Sequence, residues 1–175
     1  PSLEKNKIAL VGRLCAQKNF QVILDAVSKY DFEHELTIEI AGEGNLFNKF
    51  HSEYKNLIKN SIINLKGNVK DIDAFLSASS IYCLTSLWEG YPNSLAEALR
   101  MCLPVVVSKR FEGLNEFVEH RVNGYIVPDE DIFDTVLFLF KNKNLLLQMS
   151  KESYKKYCKL YKSDPSLAWY RLINK

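Results

Sequence analysis

Apolar residues along this chain follow two alternating spacings. Short continuous apolar runs, such as residues 8–11 and 104–107, are typical of strands covered on both faces of a sheet. Between the runs, apolar residues recur every three or four positions, as Phe20, Ile23 and Val27 do, and this spacing predicts amphipathic helices. Strands that alternate with helices favour right-handed crossovers. The pattern therefore predicts an α/β fold, a Rossmann-like doubly wound parallel sheet of about six strands with helices on both faces.

The predicted elements run through nearly the whole chain without an internal repeat, a low-complexity segment or a domain boundary. Strands are predicted at residues 8–11, 36–40, 62–65, 81–85, 104–107 and 125–127. Helices are predicted over residues 20–27 and 46–58, from Asp71 or Asp73 onward, and over residues 94–102, 113–120, 131–142, 144–162 and 165–173. We therefore expect residues 1–175 to form one domain.

Composition excludes several classes of function. The 175 residues are 47% hydrophobic and 25% charged, which suits a globular domain with a real core. The formal net charge of +2 gives no electrostatic case for nucleic acid. The four cysteines and three histidines show no spacing typical of a metal site or a disulfide framework, so we expect reduced thiols in a cytoplasmic protein. The chain has no run of about 18 apolar residues that could span a membrane.

Polar and glycine-rich segments follow the predicted strands. In parallel sheets, ligands bind at the carboxyl edge, where the strands end. The segment after the first strand contains Gly12, Arg13 and Lys18. Arginine makes planar two-pronged contacts with phosphate and lysine supplies a compact charge, so this pair suits a diphosphate. A solvated surface pair is the alternative, and the adjacent glycine and the expected helix start nearby favour the phosphate interpretation.

The segment after the fourth strand carries two glutamates, Glu89 and Glu97, eight positions apart. Between them lie a turn and a predicted helix start at Asn93 and Ser94. Carboxylates accept hydrogen bonds from sugar or ribose hydroxyls, and free amides at a helix start hold phosphate oxygens. Ser94 and Glu97 also fit a capping box, in which both would only satisfy helix amides. Glu89 has no comparable structural explanation.

Two further segments at the expected carboxyl edge carry weaker signals. Gly42 and Gly44 serve tight turns or admit a ligand close to the backbone, and the sequence leaves both open. Lys109 and Arg110 follow the fifth strand, and we expect them to face solvent.

Taken together, these segments resemble the C-terminal, donor-binding domain of family 4 retaining glycosyltransferases, which have the two-domain GT-B fold. The resemblance covers about residues 7–145 and depends on several motifs in order rather than on any one. The motifs are residues 11–14 with Lys18, 40–44, 67–71, 89–97, 104–108 and 123–127.

The resemblance implies a role for each site residue. Arg13 and Lys18 match the pair that holds the donor diphosphate, Glu89 matches the carboxylate that contacts the donor sugar, and these three form the catalytic set. The resemblance further implies that the backbone at Val69 contacts the base, that the amides at the helix start face the distal phosphate and that Glu97 binds the ribose. The implied donor-binding positions are Gly12, Val69, Asn93, Ser94, Leu95 and Glu97. The resemblance implies no metal cofactor, because the cations take the place of a metal.

The implied activity is transfer of a hexose or N-acetylhexosamine from a nucleoside-diphosphate sugar, with a UDP-sugar favoured. The implied acceptor is a glycan or a lipid-linked glycan in surface polysaccharide assembly, at the cytoplasmic face of the membrane. The family's N-terminal acceptor domain has no counterpart in this sequence, and residues 164–175 resemble the helix that crosses back to it. We therefore expect this chain alone to be inactive.

Three alternatives stay open. A nucleotide-sugar epimerase or a phosphorylase shares this architecture, and a non-catalytic module could bind nucleotide without transferring sugar. The basic and aromatic residues 154–161 allow peripheral membrane contact. A solvated helix with a packed aromatic stripe is the favoured explanation of that segment.

Overall fold

The computed structural model describes residues 5–30, 36–110 and 113–162. Within these ranges, six strands pair in parallel to form one sheet. The strands are β1 (Lys7–Val11), β2 (Thr37–Ala41), β3 (Ile63–Gly67), β4 (Ile81–Leu84), β5 (Val105–Ser108) and β6 (Gly124–Val127). Each begins and ends within two residues of its predicted position. The predicted fold class, a six-stranded Rossmann-like α/β sheet with helices on both faces, is confirmed.

The strand order β3-β2-β1-β4-β5-β6 places a switch point between β1 and β4. From β1 the chain moves outward through β2 to β3, and it then returns to lay β4 against the other side of β1. The loops that follow β1 and β4 therefore leave the sheet in opposite directions and open a crevice between them. Ligands of doubly wound sheets bind in such a crevice.

Eight helices connect and cover these strands in the described ranges. They are α1 (Gln21–Ser28), α2 (Phe47–Glu53), α3 (Lys55–Lys59), α4 (Ile72–Ser77), α5 (Asn93–Arg100), α6 (Leu114–Phe117), α7 (Ile132–Lys141) and α8 (Lys143–Lys162). Asp71 accepts a hydrogen bond from the Ala74 amide (2.9 Å) and so begins α4, as one of the two predicted starts proposed. The predicted helix over residues 165–173 and the predicted crossover segment lie outside the described residues.

Two predicted helices are shorter in the structure. The single helix predicted over residues 46–58 is interrupted at Tyr54, whose backbone leaves the helical region while its buried hydroxyl donates to Asp25 of α1 (2.5 Å). The helix predicted over residues 113–120 ends at Phe117. There the buried Asn123 side chain donates to the Phe117 carbonyl (3.0 Å) and accepts from the Glu119 amide (2.7 Å), which satisfies the groups that a longer helix would have paired.

The two faces of the sheet have separate hydrophobic cores. Helices α1, α2, α3 and α7 pack on one face, and α4, α5 and α6 pack on the other. Helix α8 packs against both cores: Leu146 and Met149 belong to the first, and Tyr157 and Tyr161 pack against the second. Tyr154 on the same helix is exposed. The aromatic stripe of residues 154–161 is thus largely packed, and none of the helices in the described ranges is long and apolar enough to cross a membrane.

Candidate functional site

Gly12 and Gly42 build the floor of the crevice through close backbone packing. Both have positive φ angles, 147° and 141°, which side-chain-bearing residues rarely adopt. A Cβ atom on Gly42 would lie 1.9 Å from the Gly12 carbonyl oxygen, and one on Gly12 would lie 2.7 Å from Cε of Lys18. Of the two roles left open for Gly42, the structure supports the tight turn. Gly12 leaves the space that the Lys18 side chain crosses.

Lys18 and Glu89 meet across the switch point. Lys18 ends a short 3-10 turn after β1, and Glu89 lies on the loop after β4. The Lys18 Nζ atom is 2.6 Å from Glu89 Oε1, and the Ser86 hydroxyl donates to the same oxygen at 2.6 Å. The two charged side chains are only 15% and 9% exposed, so water screens their attraction less than at an open surface.

Backbone contacts join the loops that carry Lys18 and Glu89. The Leu87 amide donates to the Gln17 carbonyl (2.8 Å), and the Gln17 side chain donates to the Trp88 carbonyl (2.9 Å). The buried Thr85 hydroxyl donates to the Lys18 carbonyl (2.6 Å). These hydrogen bonds hold the two loops as one unit, so the positions of the ammonium and the carboxylate are set together.

The sequence did not identify Gln17, Thr85 or Ser86 as site residues. Thr85 and Ser86, two adjacent hydroxyl residues at the end of a buried strand, could have been identified, because buried hydroxyls need hydrogen-bond partners. Gln17 gives no such signal, since glutamine is ordinary in a surface turn.

Arg13 lies on the same loop as Lys18 but outside this cluster. Arg13 is exposed, and its side chain forms no hydrogen bond or ion pair with the described residues. Its carbonyl accepts from the Cys15 amide (2.9 Å), which shapes the turn that precedes Lys18. The structure therefore brings Lys18 and Glu89 together and leaves Arg13 exposed outside their contact.

Helix α5 begins one residue earlier than predicted, with Pro92 at its N-cap. Ser94 therefore lies inside the helix, and the capping box with Glu97 does not form. The Ser94 hydroxyl instead accepts from the buried Tyr82 hydroxyl (2.7 Å). The amides of Asn93 and Leu95 donate to the carbonyls of Tyr91 (2.9 Å) and Pro92 (3.0 Å).

The start of α5 consequently offers fewer free amides for binding phosphate than the sequence indicates. Of the three predicted amides, at Asn93, Ser94 and Leu95, only that of Ser94 has no backbone acceptor within the described part of the chain.

Glu97 is half-buried on the second turn of α5. Burial raises the pKa of its carboxyl above the ordinary value, nearby Arg100 opposes this rise, and Asp73 adds to it. The Arg100 guanidinium is itself 2.5 Å from an Asp73 carboxylate oxygen. Because Arg100 is paired with Asp73, the Glu97 carboxylate remains able to accept hydrogen bonds from a ligand.

The turn after β3 places Val69 at the same edge of the sheet. Gly67 has φ 64°, and its carbonyl accepts from the Gly42 amide (2.7 Å), so this turn packs against the turn after β2. Val69 is half-buried between Gly67 and the start of α4 at Asp71. It therefore lies at the carboxyl edge of the sheet, as Lys18 and Glu89 do.

A second polar cluster, centred on Asp129, was not predicted. The buried Asp129 carboxylate accepts from the Ser108 hydroxyl (2.5 Å), from Nε of Arg110 (2.5 Å) and from the Asn19 side-chain amide (3.2 Å). It links the ends of β5 and β6 to the residue directly after Lys18. Arg110, expected to face solvent, is half-exposed and ion-paired.

Two cavities of the described residues lie outside the Lys18–Glu89 crevice. A cavity of about 200 Å³ lies between α8 and the turn after α6, and one of about 400 Å³ lies at the amino ends of β1, β2 and β3, both away from this crevice. Among the described residues, no three His, Cys, Asp or Glu side chains are grouped as a metal site. The crevice offers a lysine, a carboxylate and an open amide, which together suit a ligand carrying both phosphate and hydroxyl groups.

A parallel sheet with such a switch point defines a doubly wound α/β domain, a class of domain in which ligands bind at the carboxyl edge of the sheet. Comparison with known protein families then identifies the family of this domain. The model of the family described as Glycosyl transferases group 1 matches residues 1–156, and the chain belongs to this family.

Individual relatives agree with this assignment. An uncharacterised glycosyltransferase of Haemophilus influenzae is 31% identical over 86% of the chain. The UDP-Gal:α-D-GlcNAc-diphosphoundecaprenol α-1,3-galactosyltransferase of Escherichia coli is 35% identical over 81% of it. The chain spans 44% and 38% of the lengths of these two relatives, which is less than half of each.

A solved structure of similar fold is that of a variant of Staphylococcus aureus TarM in complex with UDP, fondaparinux and α-GlcNAc-glycerol. It superposes with a TM-score of 0.84 at 22% identity, covering 98% of this chain and 36% of TarM. At this level of identity the likeness establishes the fold.

Proposed function

We propose that this chain is the donor-binding part of a retaining glycosyltransferase that moves a hexose or N-acetylhexosamine from a UDP-sugar to a glycan or lipid-linked glycan acceptor. The observation that carries the proposal is the Lys18–Glu89 pair at the switch point, beside the start of α5, in a member of this family. A lone surface ion pair would carry no such weight, but this one is buried and held by both loops of the crevice.

In this proposal each group acts on a separate part of the donor. Lys18, Arg13 and the Ser94 amide bind the diphosphate and stabilise the negative charge that develops on it as the sugar departs. Glu89 accepts hydrogen bonds from sugar hydroxyls and Glu97 from ribose hydroxyls, while the backbone at Val69 contacts the base. Because these cations offset the charge of the diphosphate, binding and transfer need no metal ion.

The relatives support UDP as the nucleotide. The name of the E. coli relative specifies a UDP-sugar donor and a diphosphoundecaprenol acceptor, and the TarM structure contains UDP. The acceptor site belongs, in this proposal, to an N-terminal domain outside the present sequence. We expect the chain alone to transfer no sugar, since catalysis requires donor and acceptor to be held in near-attack geometry.

Calorimetric titration of the chain with UDP, GDP and ADP, in the presence of a chelator, tests the proposal. UDP should bind and the other two should bind more weakly. Absence of binding by all three at millimolar concentration would contradict the proposal. In the full-length polypeptide, nucleotide binding without sugar transfer would favour the non-catalytic module, and an altered donor sugar would favour an epimerase.

A further inference from the structure

One oxygen of Glu89 receives two donors. Lys18 Nζ and the Ser86 hydroxyl both lie 2.6 Å from Oε1, and within the described part of the chain no contact to Oε2 is recorded. Contacts of this length between charged groups are among the stronger hydrogen bonds in proteins. In this structure, therefore, the Lys18 ammonium is engaged by a carboxylate.

The function proposed above assigns the same ammonium to the donor diphosphate, and the present inference rests on that function. A phosphate oxygen that binds Lys18 must either displace Glu89 or share the ammonium with it. In both cases the phosphate must weaken the attraction between Lys18 and the Glu89 carboxylate, which partial burial leaves less screened than at an open surface.

We propose that Glu89 competes with the diphosphate for Lys18, and that Ser86 is the positioning residue that keeps Glu89 in reach. Ser86 is fully buried and is the second residue after the end of β4. Its neighbours Thr85 and Leu87 are hydrogen-bonded to Lys18 and Gln17 backbone carbonyls. Glu89 therefore cannot move away from Lys18 by a simple shift of its loop.

Such competition distinguishes the intact donor from the nucleoside diphosphate left after transfer. When a UDP-sugar binds, its hydroxyls replace Lys18 as partners of Glu89, so the carboxylate keeps its hydrogen bonds. When UDP alone binds, Glu89 loses the ammonium without gaining hydroxyls. The competition therefore weakens product binding selectively and favours exchange of UDP for a new donor.

The test is a UDP titration of Glu89→Gln, which keeps the side-chain shape and removes the charge. UDP should bind about three- to tenfold more tightly than to the wild type, the scale of one partly buried ion pair. The affinity ratio of UDP-sugar to UDP should fall. Glu130→Gln is the matched control, because Glu130 is exposed at the same edge of the sheet and the variant carries the same change in net charge. It should bind UDP as the wild type does.

A double-mutant cycle separates competition from general repulsion. In the Lys18→Ala background, Glu89→Gln should change UDP affinity by less than about twofold, because the contested ammonium is absent. Ser86→Ala should strengthen UDP binding in the wild-type background and add nothing to Glu89→Gln. A purely structural role for Ser86 would instead weaken UDP binding, together with a lower melting temperature.

The outcomes are distinguishable. If the wild type binds none of the three nucleoside diphosphates, the proposed function fails and the competition fails with it. If the wild type binds UDP but Glu89→Gln binds it no more tightly, or gains equally without Lys18, the competition is overturned and the proposed function stands.

Discussion

Gly42 contacts the backbone of Gly12 so closely that no side chain fits between them: an added Cβ would lie 1.9 Å from the Gly12 carbonyl oxygen. This contact fixes the turns after β1 and β2 against each other and lies directly beneath Lys18. The shape of the crevice therefore depends on two residues that contribute no side-chain chemistry.

Gly42→Ala should lower the free energy of unfolding by about 2–4 kcal/mol, since it combines overpacking against backbone with a strained φ angle. Chemical denaturation measures this loss. Gly90→Ala is the matched control, because nothing lies within 4 Å of a Cβ at that position. Its stability should stay within about 0.5 kcal/mol of wild type. Equal losses in the two variants would show that the close approach has been overestimated.

Lys18→Ala and Arg13→Ala should each weaken UDP binding by about 1.5–3 kcal/mol, the scale of hydrogen bonds to charged groups. Their effects on stability should differ. Lys18→Ala leaves the largely buried Glu89 carboxylate without its cation and should lower the melting temperature, whereas exposed Arg13 should leave it unchanged. Isothermal titration and thermal melts of both variants check this. Wild-type UDP affinity in both would contradict the phosphate assignment.

Glu97→Gln tests the ribose role and has a defined pH dependence. Burial raises the pKa of the Glu97 carboxyl, so ionisation costs the folded chain stability. This cost is absent below the unfolded pKa, grows as pH rises from the unfolded pKa to the higher folded pKa, and is constant above it. The variant should therefore melt at the same or a slightly higher temperature near neutral pH, and the difference should vanish in acid.

The same Glu97→Gln sample should bind UDP more weakly, because a neutral amide is a poorer acceptor for hydroxyls than a carboxylate. Melting curves across pH and a UDP titration provide both measurements. Unchanged affinity would limit Glu97 to a structural role.

Asp129→Asn should lower the free energy of unfolding by about 1–3 kcal/mol, because the buried carboxylate accepts from three donors, of which Arg110 is charged. It should also weaken UDP binding modestly, since Asn19 directly follows Lys18. Asp131→Asn, at an exposed neighbouring position, serves as the control. A loss of the same size in both variants would indicate that the change in net charge, rather than the cluster, is responsible.

The sequence predicted the parts of the fold that have local causes. Continuous apolar runs marked β1, β4 and β5, because strands buried on both faces need apolar side chains at nearly every position. In β2 and β3 the apolar residues are interrupted by polar ones. The interruption at Tyr54 has a distant cause, its hydrogen bond to Asp25, and the helical spacing of apolar residues continues through it. The early end of α6 depends likewise on the side chain of Asn123, which lies beyond the helix.

In the candidate site, too, the sequence predicted the features with local causes and missed those that depend on distant residues. Placing Lys18 and Glu89 at one edge follows from the rule for parallel strands, but their direct contact depends on β1 and β4 being neighbours, which periodicity does not specify. The Asp129 cluster joins residues up to 110 positions apart and has no local pattern at all. The role of Ser94 as a cap was undecided from sequence because helix starts are defined by backbone conformation rather than residue type alone.

Helix α8 packs Leu146 and Met149 into one core and Tyr157 and Tyr161 against the other. Since α8 follows all six strands of the described ranges, both faces of the sheet are incompletely covered while the ribosome is still synthesising this helix. We expect both cores to be completed only after α8 has emerged from the exit tunnel, so folding during synthesis should finish late and for both faces together. Until then the exposed apolar strands are potential sites for chaperone binding.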